Sequence, residues 1–438
     1  MDRRHFLHYA AALAAGPLVG TSAGGHSPVF QTPLRVNGER LNRWLTAFDA
    51  VGRTPGGINR VAYSDADLAG RAFTMDLYRQ AGLTPRIDAI GNIFGRLPGA
   101  DPSLPPIVIG SHVDSVTDGG NFDGPVGTFG AIEVARSLQD QRRRLRHPLD
   151  VVTWSNEEGG TIGSALAIGA LGDADLERVA RSGITIRDGI RRIGGDPARI
   201  GDAILRRGEV AAYLELHIEQ GGRLEQAGRQ IGVVEGIVGL HWLQVTVTGM
   251  ANHAGATPMD QRQDALLAAA RFTVAVNEEV RRAAGRTVAT VGRLVVSPNT
   301  TNIIPAQVVL TVDLRDLEAA TIARFAQRFR QLGAEIAAAT DTRIGIETTQ
   351  DSAPALATPS VMDAIDAAAG ALGLSRQRMP SGAGHDAQEM ARIAPMGMIF
   401  IPSVGGISHS PREFSRPEDI ANGAHVLLNS VIAIDQQR

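Results

Sequence analysis

The chain has 438 residues, with 43 basic and 46 acidic side chains, a formal charge of -3 and no cysteine. The lack of cysteine excludes disulfides, thiolate metal sites and a thiol nucleophile, so any metal ion must bind to His, Asp and Glu. The lack of a basic excess argues against nucleic-acid binding, and 43% apolar with 20% charged residues excludes a disordered chain or a polytopic membrane protein.

The N-terminus has the layout of an export signal. Arg3-Arg4 precedes Phe6-Leu7 and an apolar run over residues 9–19, and small residues at 21–23 form a plausible cleavage site. The pattern resembles a twin-arginine (Tat) signal over residues 1–25. A membrane anchor or a core helix is the alternative, but the run is too short to span a bilayer comfortably. We therefore expect export to the periplasm by the Tat translocase and no stable membrane insertion.

The first half of the mature chain alternates between strand-like and helix-like runs. Strands are predicted at 106–110 and 149–154, with a helix at 127–138 between them. Short apolar runs bounded by turns and helices indicate an α/β fold with a doubly wound, mainly parallel sheet. Sites in such sheets lie beyond the carboxyl ends of the strands, where His112 and Glu157-Glu158 fall. We assign residues 33–238 to the first part of this catalytic domain.

The middle of the chain has a different pattern. It predicts a strand, a helix, two strands, a helix and a strand, at 241–249, 265–283, 287–297, 308–316, 317–338 and 343–348. This order is typical of a small α/β sandwich of the split-βαβ kind. We therefore predict an inserted lid and dimerisation domain at 239–349, after which residues 350–438 return to the catalytic domain.

Five segments place polar residues in apolar surroundings. They are 110–115, 119–124, 154–159, 213–221 and 407–411. Together they offer three His, one Asp and one Glu at strand or loop ends, about the set that two divalent metal ions with a bridging carboxylate require. A single such His is more often a core residue, and paired Glu residues usually begin a solvated helix. The prediction of a metal site therefore depends on finding all five segments in one order. Asp114, two residues after His112 on the same side of a strand, is predicted to hold the other ring nitrogen.

That order resembles the metal-dependent aminoacylase/carboxypeptidase superfamily (peptidase M20). It is closest to the branch of N-carbamoyl-L-amino-acid amidohydrolases, β-ureidopropionases and allantoate amidohydrolases. The resemblance runs from about Arg40 to the C-terminus and is carried by GSHVDSV, GGNFDGPVGTFGAIEVA, SNEEG, YLELHIEQGGRLE, GIVGLHWLQVTVTGMANHAGATPM, PNTTNIIP, LTVDLRD, SGAGHDAQEMA and ISHSPREF. ELHIEQG, ANHAGATPM and SGAGHDA are specific to the branch. The resemblance implies a di-metal catalytic domain with a smaller lid and dimerisation domain.

The resemblance also implies a metal centre. The residues that would bind the two ions, with Asp123 bridging them, are His112, Asp123, Glu158, His217 and His409. Glu157 resembles the general base that takes a proton from water and delivers it to the leaving nitrogen. The Asp123–Gly124 peptide is expected to be cis. The ions themselves could be zinc, manganese, cobalt or nickel, because His and carboxylate ligands accept all four.

Further residues resemble those that contact the substrate. Gln220 would hydrogen-bond a ureido group, and His385 would be another contact. His253 would stabilise the oxyanion across a homodimer. Asn302 and Arg315 would hold the substrate carboxylate, although a turn cap and a surface ion pair are their alternatives. We expect His253, Asn302 and Arg315 to reach the metals only when two chains pair and the lid closes.

The expected activity is hydrolysis of N-carbamoyl-L-amino acids, with ureido or amide compounds that carry a carboxylate as substrates. Allantoate hydrolysis is the nearest alternative, followed by an aminoacylase or dipeptidase, and by an inactive binding protein on the same scaffold. One segment departs from the family, because Gly160-Thr161-Ile162 leads directly into Gly163-Ser164 where relatives have an Arg-Phe and several more residues. Altered substrate preference or weakened activity could follow, since the segment adjoins the base and a ligand.

Overall fold

Residues 32–437 are described by a computed structural model, so the predicted Tat signal at 1–25 lies outside the described residues. Within residues 32–437, none of the helices combines the length and the apolar character that a membrane crossing needs. Several helices begin after a polar N-cap residue. At the start of the helix Asp65–Gln80, for example, the hydroxyl oxygen of Ser64 accepts a hydrogen bond from the backbone N–H of Asp67.

Residues 32–437 contain fifteen β-strands. They are β1 (Arg53–Thr54), β2 (Gly57–Ile58), β3 (Arg86–Ile87), β4 (Ile93–Leu97), β5 (Ile107–His112), β6 (Leu149–Trp154), β7 (Ala212–Ile218), β8 (Ile231–Ile237), β9 (Gly239–Thr248), β10 (Val288–Ser297), β11 (Gln307–Asp316), β12 (Arg343–Ser352), β13 (Ala355–Leu356), β14 (Arg376–Ser381) and β15 (Met396–Ile401). The α-helices are α1 (Gly38–Phe48), α2 (Asp65–Gln80), α3 (Pro125–Asp140), α4 (Ile162–Ala167), α5 (Ile186–Arg192), α6 (Arg223–Ala227), α7 (Ala265–Arg282), α8 (Ala319–Thr340), α9 (Pro359–Ala371), α10 (Asp386–Met390) and α11 (Pro417–Asp435). Short 3₁₀ helices lie at Asp173–Glu177, Pro197–Ala203, Met259–Gln261 and Val404–Gly406.

A nine-stranded mixed sheet forms the larger part of the fold. Its order is β13-β8-β15-β7-β5-β6-β4-β3, with β14 paired to β8. The centre is parallel, because β5 pairs in parallel with both β6 and β7, and β7 pairs in parallel with β15. Helices α1, α3, α9 and α11 pack on one face, and α4 and α10 lie on the other. The sheet is therefore doubly wound, and its central strands are buried on both faces.

The smaller sheet has four antiparallel strands in the order β10-β11-β9-β12. Helices α7 and α8 cover one face, where Leu243, Val312 and Phe329 belong to a shared apolar core. Residues of β9 alternate between buried and partly exposed along the strand. The opposite face of this sheet therefore remains uncovered.

The predicted fold class is confirmed: the protein is a mixed α/β chain with helices on both faces of the large sheet and an antiparallel α/β sandwich in the middle. The predicted lid elements match β9, α7, β10, β11, α8 and β12 to within a few residues. From Pro33 onward the chain forms one compact unit, so the boundaries of the lid at 239 and 349 stay predictions.

One backbone expectation is wrong. The Asp123–Gly124 peptide is trans, and the cis peptide found among the described residues is Ser297–Pro298. The chain turns into α3 because Gly124 adopts a φ of +83°, a conformation that glycine takes at little cost. Glycine is needed here for a second reason, because a Cβ atom would collide with the imidazole ring of His112.

Candidate metal centre

The candidate site lies where the parallel strands of the large sheet end. His112 is the last residue of β5 and pairs in register with Trp154 at the end of β6. His217 is next to last in β7. Because parallel strands end at the same edge of a sheet, their terminal side chains meet there, as the sequence predicted.

Both of these histidines present a bare ring nitrogen to the same carboxylate. Nδ1 of His112 donates to the backbone carbonyl of Asp114 at 3.1 Å, and Nδ1 of His217 donates to that of Ile218 at 2.9 Å. Each Nε2 therefore carries the lone pair in the neutral ring. These Nε2 atoms lie 3.7 Å and 3.1 Å from Oδ1 of Asp123.

The second oxygen of Asp123 faces a different pair of residues. Nε2 of His409 lies 3.2 Å from Oδ2 of Asp123 and 3.6 Å from a carboxylate oxygen of Glu158. The five predicted ligands thus form two groups of three, within 4.8 Å in each group, that share Asp123. A carboxylate with a ligand group at each oxygen is the arrangement that a bridging ligand between two ions requires.

The chemistry of these donors fits divalent cations. Nε2 of His217 is buried and faces the carboxylate of Asp123 at 3.1 Å. Nε2 of His112 also faces the Glu157 carboxylate at 3.6 Å, and burial lowers the pKa of His112 to about 4, so this ring stays neutral. The lone pair on Nε2 of His112 thus faces the carboxylates of Asp123 and Glu157, and a cation placed between these three groups would be attracted by all of them. Separations of 3.1–3.7 Å are close to the roughly 3.4 Å between donors that bind one ion at about 2.1 Å.

The site carries an excess of buried negative charge. Burial raises the pKa of Glu158 to about 8, with a further contribution from Asp123. Burial, then the nearby Asp386 and Glu158, raise the pKa of Glu157 well above its ordinary value. Burial lowers the pKa of His217, but the adjacent Asp123 outweighs it and raises that pKa to about 9. Metal ions would take the place of these protons.

The carboxylate of Asp114 does not hold the ring of His112, as was expected, but binds two backbone N–H groups. Its carboxylate oxygen lies 3.7 Å from Nδ1 of His112, and the ring nitrogen is held by the backbone carbonyl of Asp114 instead. The carboxylate accepts the backbone N–H groups of Glu157 and Glu158 at 3.2 Å and 3.1 Å. The reason is that the loop after β6 brings two N–H donors to the buried carboxylate, which must be satisfied.

Two further buried carboxylates were missed by the sequence reasoning. Glu413 accepts the backbone N–H groups of Phe122 and Asp123 at 2.8 Å and 3.1 Å, and the hydroxyl of Ser408 at 2.9 Å. It therefore joins the loop of the bridging ligand to the loop of His409. Its position four residues after His409 carried no recognisable signal.

The second missed group is Glu215, two residues before His217 on β7. It accepts the hydroxyls of Ser111 and Tyr213 at 2.7 Å and 3.0 Å, and the backbone N–H of Ala387 at 3.1 Å. Glu215 thus connects β5, β7 and the start of α10. The period of two along a strand was the available signal, because it places Glu215 and His217 on the same side.

His385 lies behind the ligands. Its ring packs edge-on against His217 with centroids 4.4 Å apart, and its Nε2 is 2.9 Å from the hydroxyl of Ser381. The side chain is buried. A role of His385 as a substrate contact stays a prediction.

Gln220 lies beside the carboxylate of Asp123. Its side-chain nitrogen donates to Oδ2 of Asp123 at 2.7 Å and lies 3.3 Å from Nε2 of His409. Its side-chain oxygen has no hydrogen-bond partner among the described residues. Gln220 therefore offers one unused acceptor beside the bridging ligand.

The lid residues are divided between two places. His253 and Ile303 form a bridge, and the backbone N–H of Ala254 donates to the carbonyl of Asn302 at 3.0 Å, so His253 and Asn302 belong to one loop cluster. Arg315 instead donates to the carbonyl of Gly382 at 2.7 Å, in the loop before α10 of the same chain. Arg315 thus touches the catalytic domain of its own chain, because β11 ends beside that loop. The expectation that it reaches the metals only when two chains pair and the lid closes stays a prediction.

The short segment after Glu158 folds as a tight turn. The carbonyl of Glu157 accepts the N–H groups of Gly160 and Thr161 at 2.8 Å and 2.7 Å. Gly160 and Thr161 both have positive φ, and α4 begins at the next residue. The turn thus anchors the backbone of Glu157, and its effect on activity stays a prediction.

Comparison with known proteins places this site in a family. A model of peptidase family M20/M25/M40 matches residues 108–433. An N-carbamoyl-L-amino acid amidohydrolase of Geobacillus stearothermophilus is 40% identical over 407 residues, which cover 92% of this chain and 99% of that protein. An allantoate amidohydrolase of Escherichia coli (strain K12) is 34% identical over 390 residues, covering 88% of this chain and 94% of the other.

A solved structure agrees with these relatives. A hydantoinase/carbamoylase-family amidase from Burkholderia multivorans superposes with a TM-score of 0.87 and 38% identity, covering 92% of this chain and 99% of that chain. The protein belongs to peptidase family M20/M25/M40. Its predicted branch, and its predicted class as a metal-dependent amidohydrolase of non-peptide C–N bonds, are confirmed.

Proposed function

We propose that this protein hydrolyses N-carbamoyl-L-amino acids to the amino acid, CO2 and ammonia with the help of two divalent metal ions. The observation that carries the proposal is the position of Asp123, which presents one carboxylate oxygen to each of two ligand groups, with Glu157 adjoining the first. His112 and His217 would complete the site of one ion, and Glu158 and His409 the site of the other.

The ions, zinc or else manganese, cobalt or nickel, would lower the pKa of water and polarise the carbonyl of the substrate. Glu157 would take the proton from water and deliver it to the leaving nitrogen. Its carboxylate is buried and surrounded by like charges that raise its pKa, which favours holding a proton in transit. The anchored turn after Glu157 would keep this group in place during both transfers.

A ureido group provides N–H donors, and the unused oxygen of Gln220 offers an acceptor for one of them. Arg315 would hold the carboxylate of the substrate, because its planar guanidinium can donate two parallel hydrogen bonds. The two named relatives act, by their names, on N-carbamoyl-L-amino acids and on allantoate, and both compounds carry ureido groups and a carboxylate.

Pairing of two chains would complete the site. Nδ1 of His253 accepts the backbone N–H groups of Gly255 and Ala256, so the neutral ring carries its proton on Nε2, as an oxyanion donor must. No hydrogen bond among residues 32–437 joins His253 to the metal ligands. We therefore propose that His253 acts in the site of a partner chain in a homodimer, with Asn302 beside it.

Mixed dimers test this arrangement. Inactive Glu157→Gln chains mixed with inactive His253→Ala chains should regain part of the activity, because one site of each hybrid combines an intact Glu157 with an intact His253. Hybrid dimers that form and remain inactive would refute the shared site.

A substrate panel tests the activity itself. Metal-free protein loaded with each of the four metals is assayed for ammonia release from N-carbamoyl-L-amino acids and allantoate, and for amino-acid release from acyl-amino acids. The proposal expects the highest kcat/KM with an N-carbamoyl-L-amino acid. Higher kcat/KM with allantoate or an acyl-amino acid would replace it with one of those activities, and metal binding without turnover would favour a binding protein.

We also propose that the chain is exported by the Tat route, on the strength of Arg3-Arg4 and Phe6-Leu7. Replacing both arginines with alanine should trap the precursor in the cytoplasm. Unchanged periplasmic activity of that variant would contradict the proposal.

A further inference from the structure

Arg315 is held by two groups of its own chain. Its Nε and one terminal nitrogen donate to the carboxylate of Asp313, at 3.0 Å and 2.7 Å. Its other terminal nitrogen donates to the carbonyl of Gly382 at 2.7 Å. The guanidinium has five N–H donors, so one N–H remains on each terminal nitrogen. Those two donors are the pair that a second carboxylate can bridge.

We propose that Asp313 is a positioning residue that holds Arg315 so that its remaining N–H pair faces the substrate carboxylate. This inference rests on the proposed function, in which Arg315 binds that carboxylate. Asp313 and Arg315 lie two residues apart on β11, and therefore on the same face of the lid sheet. That face is the one that α7 and α8 leave uncovered.

The contact with Gly382 connects this pair to the metal centre. Gly382 directly follows β14 and precedes His385 by three residues, and the ring of His385 packs against the ligand His217. The guanidinium is therefore fixed on one side by the lid and on the other by the loop behind a metal ligand. A long side chain that is 27% exposed would otherwise sample many rotamers.

Electrostatics alone predicts the opposite effect of removing Asp313. Its negative charge repels a substrate anion and partly neutralises Arg315, so a purely electrostatic role means that its loss tightens binding. A positioning role means that its loss weakens binding, because Arg315 leaves the productive orientation. The sign of the change in KM therefore separates the two roles.

The experiment compares Asp313→Ala and Asp313→Asn with the wild type on an N-carbamoyl-L-amino acid and on the matching N-carbamoyl-L-amino-acid amide, which lacks the carboxylate. We expect KM for the acid to rise about tenfold in Asp313→Ala, the equivalent of one lost hydrogen bond. Asp313→Asn keeps one acceptor oxygen and should raise the KM for the acid less than Asp313→Ala does. KM for the amide, kcat and metal content should stay near wild-type values.

A control variant is Glu335→Ala, which removes one of the two carboxylate partners of Arg328 (2.9 Å) on α8, elsewhere in the lid. It should leave both KM values unchanged. A lower or unchanged KM for the acid in both Asp313 variants would overturn the positioning role. An equal rise in KM for acid and amide would also overturn it, since that indicates a general structural defect. If Arg315→Ala leaves KM for the acid unchanged, the proposed carboxylate site itself fails, and the inference fails with it.

Discussion

The two sheets differ in how many of their faces are covered. Every residue of β5, β6, β7 and β15 in the large sheet is buried, whereas β9 of the lid alternates between buried and partly exposed positions. In the large sheet the polar side chains at strand ends are therefore removed from water, and burial shifts their pKa values. In the lid, Arg315 and Asp313 remain 27% and 32% exposed on the open face. The candidate metal ligands thus lie at the edge of the buried sheet, and Arg315, proposed to hold the substrate carboxylate, lies on the open one.

The largest expected effect concerns a buried carboxylate of the large sheet. Glu157→Gln should reduce kcat by a factor of about 10²–10⁴, because a positioned general base contributes about that much. Metal content, measured by elemental analysis, should stay at the wild-type level. The matched change in the lid, Glu335→Gln, should leave kcat unchanged. Wild-type turnover in Glu157→Gln would remove the base from the mechanism.

Stability should also depend on the sheet that is altered. Ile109 on β5 is fully buried, so Ile109→Ala should lower the free energy of unfolding by about 2–5 kcal/mol through lost burial and a cavity. Val295 on β10 is 46% exposed, and Val295→Ala should change the free energy of unfolding by less than about 0.5 kcal/mol. Chemical denaturation of the metal-loaded proteins measures both. Similar losses for the two variants would contradict the difference between the sheets.

The carboxylate that joins the two ligand loops should affect metal binding. Glu413→Ala removes the acceptor of the Phe122 and Asp123 N–H groups, and groups that orient ligands typically contribute 10–100-fold to metal affinity. Titration of the metal-free variant should therefore show weaker binding by about that factor. Glu418→Ala, an exposed change in the first turn of α11, is the control. Unchanged affinity in Glu413→Ala would show that the loops hold their positions without it.

A further expected effect is a pH dependence of the stability of the metal-free protein. The pKa of Glu158 is about 8 against an ordinary 4.5, and that of His217 is about 9 against 6.5. Groups whose pKa is raised by folding stabilise the fold below their ordinary pKa and lose that contribution as pH rises through the folded value. Glu158 loses its contribution between pH about 4.5 and about 8, and His217 between pH about 6.5 and about 9. The stability of the metal-free protein should therefore fall most steeply where the two ranges overlap, between pH about 6.5 and about 8, and stop falling above pH about 9.

Metal ions remove this dependence, because they replace the protons at the ligands. Melting temperatures with and without a chelator should therefore separate further as pH rises through that window. A constant separation would mean that these protons are not coupled to folding.

Much of the site could be predicted because strand periodicity and strand ends are local properties. The apolar run before His112 and the one before Glu157-Glu158 each predicted a buried strand, and the parallel arrangement brings their ends together. The family motifs then assigned Asp123 and His409. The cis peptide expected at Asp123–Gly124 was wrong: the chain turns into α3 with a trans peptide bond and a positive φ at Gly124.

The sequence alone determined the class of this protein: the spacing of apolar residues sets the two sheets, and the motifs carry the ligands. The tertiary structure alone decided which groups support them. Glu413 meets Asp123 across 290 residues of chain, and Arg315 meets Gly382 across 67. Such contacts depend on how loops from distant segments pack together, and a carboxylate or guanidinium at such a contact takes whichever partner that packing provides.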